Sequence, residues 1–284
     1  MGGSQDPPIF LSFVVVEPVR LLAAGRVTPY VGATIIWNHA VDQRREPMFN
    51  VPPVVVGTIL AFVLVHVVRS YFLSPAQDVE FLLTFAFIPA RYDATPLIGG
   101  AYPGGFGAEL WTFVTYAFIH ADPMHLGVNS VWLLAFGSAL ARRFGTARFL
   151  AFFVVTAAAG AAAHLLAHAG DPHPTIGASA SISGAMAAAM RFAFQRGGPL
   201  GLWGADNEES YRVPAAPLSK ALRDPRVLGF LFAWFGINAL FGLGSMSILG
   251  DGQVVAWQAH IGGFIAGLIL FPLFDPVPRA VPAD

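Results

Sequence analysis

The stretch Thr175-Ile-Gly-Ala-Ser-Ala-Ser-Ile-Ser-Gly-Ala-Met-Ala-Ala-Ala-Met190 consists almost entirely of small residues and carries no charge. Helices in lipid approach one another closely where their side chains are small. The stretch also holds three serines, Ser179, Ser181 and Ser183, where a membrane-spanning helix normally carries larger apolar residues. Because a buried hydroxyl needs a hydrogen-bond partner or a chemical role, we expect a packing surface that also contains a candidate site.

The composition indicates a membrane protein. Of the 284 residues, 55% are hydrophobic and 12% are charged, and the mean hydropathy is +0.61. A soluble domain carries about 25% charged residues, so the lipid bilayer is the expected surrounding of this chain. A net charge of −1 without a basic block argues against nucleic acid as a partner. The lack of cysteine excludes disulfides, thiolate catalysis and cysteine metal ligands.

Long uncharged windows predict an all-α membrane protein with six membrane-spanning helices. The windows are 47–68, 123–141, 149–170, 172–190, 227–250 and 252–274. Each is close to the roughly 20 residues that a spanning helix needs. Of the 16 Lys and Arg residues, only Arg69 and Arg91 lie in the loops of one side, and all others lie on the opposite side. The positive-inside rule therefore predicts that both termini are cytoplasmic.

The predicted helices divide the chain into three parts. We expect residues 1–46 to be an N-terminal cytoplasmic extension, residues 47–275 a six-helix domain, and residues 276–284 a short cytoplasmic tail. Residues 69–122 form a long first outer loop, whose aromatic runs predict a structured element at the outer interface. All the basic residues except Lys220 are arginine. A preference for arginine over lysine is typical of GC-rich bacterial genomes. The inner membrane of a bacterium is therefore the expected location.

Four polar side chains are predicted to lie at one depth, near the outer ends of three helices. His125 and Asn129 are four residues apart and share one face of the second helix, for which Asp122 is a suitable N-cap. Ser179 follows the loop before the fourth helix. His260 lies about 12 Å along the sixth helix from the loop that precedes it.

These residue types suit nucleophilic acyl transfer. A serine with a histidine is the minimum set, because the histidine takes the hydroxyl proton and later returns it to the leaving amine. His125 and Asn129 can donate hydrogen bonds to the oxyanion, and the backbone N–H of Ser179 at a helix start can add another. The spans contain no acidic residue at that depth. A Ser179–His260 dyad is therefore predicted rather than a triad.

Three motifs resemble the rhomboid family of intramembrane serine proteases. They are Gly177-Ala-Ser179 followed by Ile182-Ser-Gly184, His120-Ala-x-x-x-His125-x-x-x-Asn129, and Ala259-His-Ile-Gly-Gly263. The resemblance covers about 47–275 and implies six helices around an outward-opening, water-filled cavity. It implies Ser179 as the nucleophile and His260 as the general base. It further implies His125 and Asn129 as oxyanion-hole donors, in an enzyme that cuts transmembrane proteins within or beside their spanning segment.

Two positions depart from the family pattern. The usual Gly-x-Ser-Gly ends in Ala180, whose methyl can crowd the site. The usual Trp-Arg of the first outer loop reads Trp111-Thr112, which can loosen that loop. Ala180 keeps open the alternative of a non-catalytic rhomboid-like protein that binds transmembrane clients. A transporter or channel is disfavoured, since the sequence has no inverted repeat and no intramembrane ion pair.

The remaining small and polar residues of the spans are given no catalytic role. Ser181 points about 200° away from Ser179 at 100° per residue and is interpreted as packing. Ser183 shares the Ser179 face, but it lies one turn deeper and is interpreted as lining the cavity rather than as the nucleophile. Gly263 and Gly267 form a G-x-x-x-G that would bring the sixth helix against the fourth. The spans contain no H-E-x-x-H zinc motif and no aspartate pair. Neither a metal nor another cofactor is therefore predicted.

Overall fold

The computed structural model describes residues 18–23, 26–31, 51–93, 101–201, 208–242 and 256–278. The chain divides into two compact units, Met1–Asn50 and Val51–Asp284. In the first unit β1 (Pro18–Ala23) and β2 (Arg26–Val31) pair as antiparallel strands. The all-α class predicted for the chain thus describes the second unit, and the predicted N-terminal extension contributes a two-stranded hairpin. Both strands contain valine, a β-branched residue that favours paired strands.

Four helices among the described residues are long and apolar enough to cross a membrane. They are α1 (Pro53–Tyr71), the continuous helix Pro123–Phe144, α6 (Thr146–Ala167) and α10 (Trp257–Phe274). The second of these consists of α4 (Pro123–Trp132), a π-helical turn (Leu133–Gly137) and α5 (Ser138–Phe144). These four helices lie at the first, second, third and sixth predicted spans.

Shorter helices complete the second unit. Between α1 and α4 lie α2 (Pro75–Phe85) and α3 (Gly105–Thr115), together with 3-10 turns at Pro89–Tyr92 and Tyr116–Phe118. The other short elements are α7 (Ser179–Ala189), a 3-10 turn (Glu208–Arg212), α8 (Leu218–Ala221) and α9 (Pro225–Gly242). The segment between α1 and α4 therefore has regular structure of its own.

The fourth predicted span, 172–190, is wrong as a 19-residue helix. The helix α7 has only 11 residues and begins at Ser179. Two features of the preceding segment exclude helical backbone there. Thr175 forms an isolated antiparallel bridge with Phe87, and Gly177 has a φ of +117°. The fifth predicted span, 227–250, overlaps α9. The apolar part of this helix, Pro225–Leu240, is shorter than the predicted span. Residues 243–255 lie outside the described part.

Backbone contact joins α7 to α10. Every residue of α7 after Ser179 is buried. A Cβ added at Gly263 would overlap the carbonyl group of Ala180, and one added at Gly267 would overlap the carbonyl oxygen of Gly184. The glycines of α10 therefore lie directly against the α7 backbone, as the G-x-x-x-G pattern predicted.

The opposite side of α7 packs on α6. The Ser181 hydroxyl donates a hydrogen bond to the Phe153 carbonyl oxygen at 2.8 Å, which confirms the packing interpretation of this serine. A Cβ added at Gly184 would lie 2.7 Å from Cγ2 of Thr156. The short helix is thus enclosed by two long ones, and small residues on both of its sides are what permit this.

A buried ion pair fastens α5 to the end of α10. Arg143 donates from Nε and Nη2 to the two carboxylate oxygens of Asp275 at 2.8 and 2.9 Å. Its Nη1 donates to the carbonyl oxygens of Tyr211 and Val213 at 2.7 and 2.9 Å. The two side chains are only 0% and 7% exposed. The two parallel hydrogen bonds to the carboxylate and the two carbonyl acceptors offset the cost of removing this ion pair from water.

We predict that Asp275→Asn destabilises the protein by about 3 kcal/mol, because it leaves the buried Arg143 charge without its counter-charge. Thermal unfolding in detergent measures the change. Asp224→Asn is the matched control, since Asp224 pairs with Arg226, whose side chain is 41% exposed, and such pairs contribute about 1 kcal/mol or less. Equal melting temperatures for the two variants would contradict the prediction.

Candidate active site

Ser179 is the first residue of α7, and the turn before it is fixed by backbone hydrogen bonds. Thr175 exchanges two such bonds with Phe87, at 2.7 and 3.2 Å, and the Gly177 N–H donates to the Tyr116 carbonyl oxygen at 3.0 Å. The positive φ of Gly177 is a conformation that favours glycine. Ser179 therefore follows a turn that is hydrogen-bonded to the segment between α1 and α4.

The structure brings Ser179 and His260 together. Nε2 of His260 lies 2.7 Å from Oγ of Ser179, a hydrogen-bond distance. His260 lies in the first turn of α10, one turn before Gly263, and is partly buried. The contact is possible because Gly263 lets the two helices meet at backbone distance.

Asn238 is a third member of this group that the sequence reasoning missed. Its Oδ1 lies 2.6 Å from Nδ1 of His260, and its Nδ2 donates to the Trp234 carbonyl oxygen at 2.8 Å. Asn238 lies on α9 and is 8% exposed. Its signal in the sequence was a single amide inside an otherwise apolar window. An acidic residue is the usual partner of a catalytic histidine, and an amide in this place has no spacing pattern that marks it.

His125 and Asn129 lie one turn apart on α4. The helix begins as predicted, with the Asp122 carboxylate accepting a hydrogen bond from the His125 N–H at 2.9 Å. The Asn129 side chain is buried, and its Nδ2 donates to the His125 carbonyl oxygen at 2.9 Å. An ideal Cβ on Gly177 would lie 2.7 Å from His125 Nε2 and 3.8 Å from Ser179 Oγ. The His125 ring is therefore next to the turn that carries Ser179.

His120 shapes the turn that precedes α4. Its carbonyl oxygen accepts a hydrogen bond from Nη1 of Arg69 at 2.9 Å and lies 3.3 Å from Nδ1 of His66. Its buried ring meets the His125 ring at a centroid distance of 5.2 Å. Burial, more than the neighbouring histidines, lowers the pKa of His120 to about 3. The ring is therefore neutral near pH 7 and places no charge beside His125.

Ser183 has a hydrogen-bond partner within α7. Its hydroxyl donates to the Ser179 carbonyl oxygen at 2.7 Å. Such a bond to the carbonyl four residues back is a usual role of serine in an apolar helix. Of the three serines in the opening stretch, only Ser179 contacts a histidine in the described structure.

The two departures from the rhomboid pattern are accommodated by the surrounding structure. A Cβ on Gly160 of α6 would meet the Ala180 methyl at 2.5 Å, so the glycine leaves the space that this methyl occupies. Thr112 is buried in α3, and its hydroxyl donates to the Ala108 carbonyl oxygen at 2.6 Å. The same hydroxyl lies 2.8 Å from that of Tyr92. Thr112 thus ties α3 to the Pro89–Tyr92 turn instead of loosening the segment.

These features define a helical membrane protein with a serine and a histidine in contact between two of its helices. The family model of the rhomboid domain matches residues 107–275, which include Ser179, His260, His125 and Asn129. The chain therefore belongs to the rhomboid family, and it is a multi-pass membrane protein.

Two relatives illustrate the similarity. Rhomboid-like protease 3 of Toxoplasma gondii is 29% identical over 179 residues, which are 61% of this chain and 56% of that protein. Rhomboid protease GluP of Bacillus subtilis (strain 168) is 32% identical over 82 residues, which are 29% of this chain and 16% of that protein. The matches thus span little more than half of the first relative and less than a fifth of the second. Both names support a protease at the level of the family.

We predict that Gly263→Ala destabilises the protein, because its methyl would force α10 away from the Ala180 carbonyl. Inserted methyls in packed regions cost about 1–3 kcal/mol. Gly229→Ala is the matched control, since a Cβ there has no neighbour within 4 Å and alanine favours a helix over glycine. Thermal unfolding compares the two, and a Gly263→Ala protein as stable as wild type would contradict the prediction.

Proposed function

We propose that this protein is an intramembrane serine endopeptidase that cleaves transmembrane proteins within or near their membrane-spanning segment. The observation that carries the proposal is the 2.7 Å contact between Ser179 Oγ and His260 Nε2 in a member of the rhomboid family. Two relatives named as proteases support it.

The proposed reaction is acyl transfer through Ser179. His260 Nε2 accepts the hydroxyl proton as Oγ attacks the carbonyl carbon of the peptide bond. The protonated imidazole then gives this proton to the leaving amine, and an acyl-enzyme remains. A water molecule, deprotonated by the same nitrogen, hydrolyses the ester and restores Ser179.

The oxyanion of the tetrahedral intermediate would be stabilised from α4 and from the start of α7. Asn129 has two N–H donors on its amide, and the His125 carbonyl oxygen uses one. The second is then available to the oxyanion. Nδ1 of His125 accepts a long hydrogen bond, 3.5 Å, from the Ala121 N–H. The ring proton is therefore assigned to Nε2, the nitrogen that lies beside Gly177.

The proposed arrangement in the membrane has six crossings, with both termini in the cytoplasm of a bacterial cell and the protein in its inner membrane. Residues 47–275 would be the catalytic domain, 1–46 a cytoplasmic extension and 276–284 a cytoplasmic tail. The distribution of Lys and Arg supports this orientation. The four long helices are long enough for four of these crossings, and α7 and α9 lie at the positions of the other two.

The non-catalytic alternative, a rhomboid-like protein that binds transmembrane clients, depended on Ala180. The methyl of this residue lies against Gly160 of α6. The departure from the family motif therefore has a packing partner and gives no separate reason to expect an inactive protein.

We predict that Ser179→Ala and His260→Ala each abolish cleavage of a model transmembrane substrate and labelling by a fluorophosphonate probe. The first variant lacks the nucleophile and the second lacks its base. Ser183→Ala is the matched control on the same helix and keeps most of the activity, because Ser183 only bonds back to the Ser179 carbonyl. If the wild type labels no more than Ser179→Ala and cleaves no substrate, the protease proposal fails.

We predict that Asn129→Ala lowers kcat about 10²- to 10³-fold, the usual effect of removing one oxyanion donor. Ser130→Ala on the same helix serves as control, since its hydroxyl bonds only to the Leu126 carbonyl oxygen at 2.8 Å. Initial rates of substrate cleavage at saturating substrate measure both variants. Equal rates for Asn129→Ala and Ser130→Ala would remove Asn129 from the oxyanion site and leave the roles of Ser179 and His260 intact.

A further inference from the structure

Both ring nitrogens of His260 have hydrogen-bond partners, and these lie on two different helices. Nε2 contacts Ser179 of α7, and Nδ1 contacts Asn238 of α9. We propose that Asn238 is a positioning residue that fixes the tautomer and the orientation of His260, so that the Ser179–His260 pair works with an uncharged third residue behind the base. This inference rests on the proposed protease function.

The hydrogen-bond directions in this group follow from one backbone carbonyl. The Trp234 carbonyl oxygen is only an acceptor, so the group of Asn238 that faces it at 2.8 Å is the amide NH2. Oδ1 of Asn238 is then the atom that faces Nδ1 of His260 at 2.6 Å. An amide oxygen cannot donate, and therefore Nδ1 carries the proton.

The assignment at Nδ1 determines what Nε2 can do. A neutral imidazole has one N–H and one lone pair, so a proton on Nδ1 leaves the lone pair on Nε2. That lone pair faces the Ser179 hydroxyl at 2.7 Å and can accept its proton. In the other tautomer Nε2 would carry the proton and could not act as the base. Asn238 thus selects the competent tautomer.

Packing holds Asn238 in this position. The Trp234 ring, one turn earlier on α9, stacks on Phe264 of α10 with a centroid distance of 4.4 Å and an interplanar angle of 27°. Asn238 itself is 8% exposed. The amide therefore lies on a helix that is already packed against the helix of His260. Its hydrogen bond to the histidine forms without a further loss of backbone conformational entropy.

An amide suits this place better than an acid would. A carboxylate inside a membrane-spanning bundle has a high desolvation cost. The amide oxygen supplies the acceptor that His260 needs without a charge. This explains how the spans can lack an acidic residue at this depth while the histidine still has a group that orients it.

A purely structural role for Asn238 is the competing explanation, because asparagine often links helices in membranes. Three variants of the full-length protein separate the two roles. Asn238→Leu removes the acceptor at similar volume. Asn238→Asp keeps an acceptor oxygen towards Nδ1 in either protonation state. Val227→Ala opens a cavity at a fully buried position of α9, 11 residues before Asn238, and leaves Asn238 and its hydrogen-bond partners unchanged.

The measurements are kcat and KM for a model transmembrane substrate, the rate of fluorophosphonate labelling, and the melting temperature of each variant in detergent. We expect Asn238→Leu to lower kcat and the labelling rate about 10- to 100-fold with little change in KM, since the base is misplaced. Asn238→Asp is expected to recover most of this loss. Val227→Ala is expected to lower the melting temperature and leave kcat within about threefold of wild type.

Two results would overturn the positioning role. One is a kcat for Asn238→Leu equal to that of wild type. The other is a loss of kcat in both Asn238→Leu and Asn238→Asp that is no larger than the loss Val227→Ala shows for the same fall in melting temperature. Both leave Ser179 and His260 as the catalytic pair. A failure of the protease proposal itself is recognised separately, because Ser179→Ala would then behave like the wild type.

Discussion

The contact between α7 and α10 without intervening side chains is the constraint on which the candidate site depends. Gly263 and Gly267 present bare backbone to the carbonyls of Ala180 and Gly184. A helix pair held apart by ordinary apolar side chains has its axes about 8–10 Å apart. The close approach at Gly263 brings the short Ser179 side chain within 2.7 Å of the His260 ring. The glycines that let α7 and α10 pack closely are therefore also the residues that bring the serine to the histidine.

The second requirement is that polar groups within an apolar bundle have partners. Around the candidate site the described hydrogen bonds form a series that starts at the Trp234 carbonyl and passes through Asn238 and His260 to Ser179. Each group in the series accepts a hydrogen bond from the group that follows it. Buried polar networks stabilise a single arrangement when every member is satisfied. The same series that avoids unpaired polar groups also sets the direction of proton transfer that the proposed reaction requires.

The sequence predicted those features that one helix determines by itself. The apolar windows located the long helices, and the position of His125 in the first turn of α4 followed from the Asp122-Pro123 start. His260, expected about 12 Å along its helix, lies in the first turn because α10 begins at Trp257. What it could not predict depends on contacts between distant segments. Residues 175–177 carry no charge, so they fell inside a predicted span, but hydrogen bonds to Phe87 and Tyr116 hold them in a non-helical conformation. Asn238 contributes through a partner on another helix, which no pattern along α9 reveals.

Ala180 shows how a departure from a family motif should be judged. In the sequence the residue follows Ser179, and its extra methyl suggested a crowded nucleophile. In the structure this methyl faces Gly160, on a helix that the motif does not include. A methyl is costly in a close-packed interior only if the facing residue keeps its own volume. The relevant pattern is therefore a pair of facing positions whose volumes compensate, and the activity expected of this chain depends on that pair rather than on Ala180 alone.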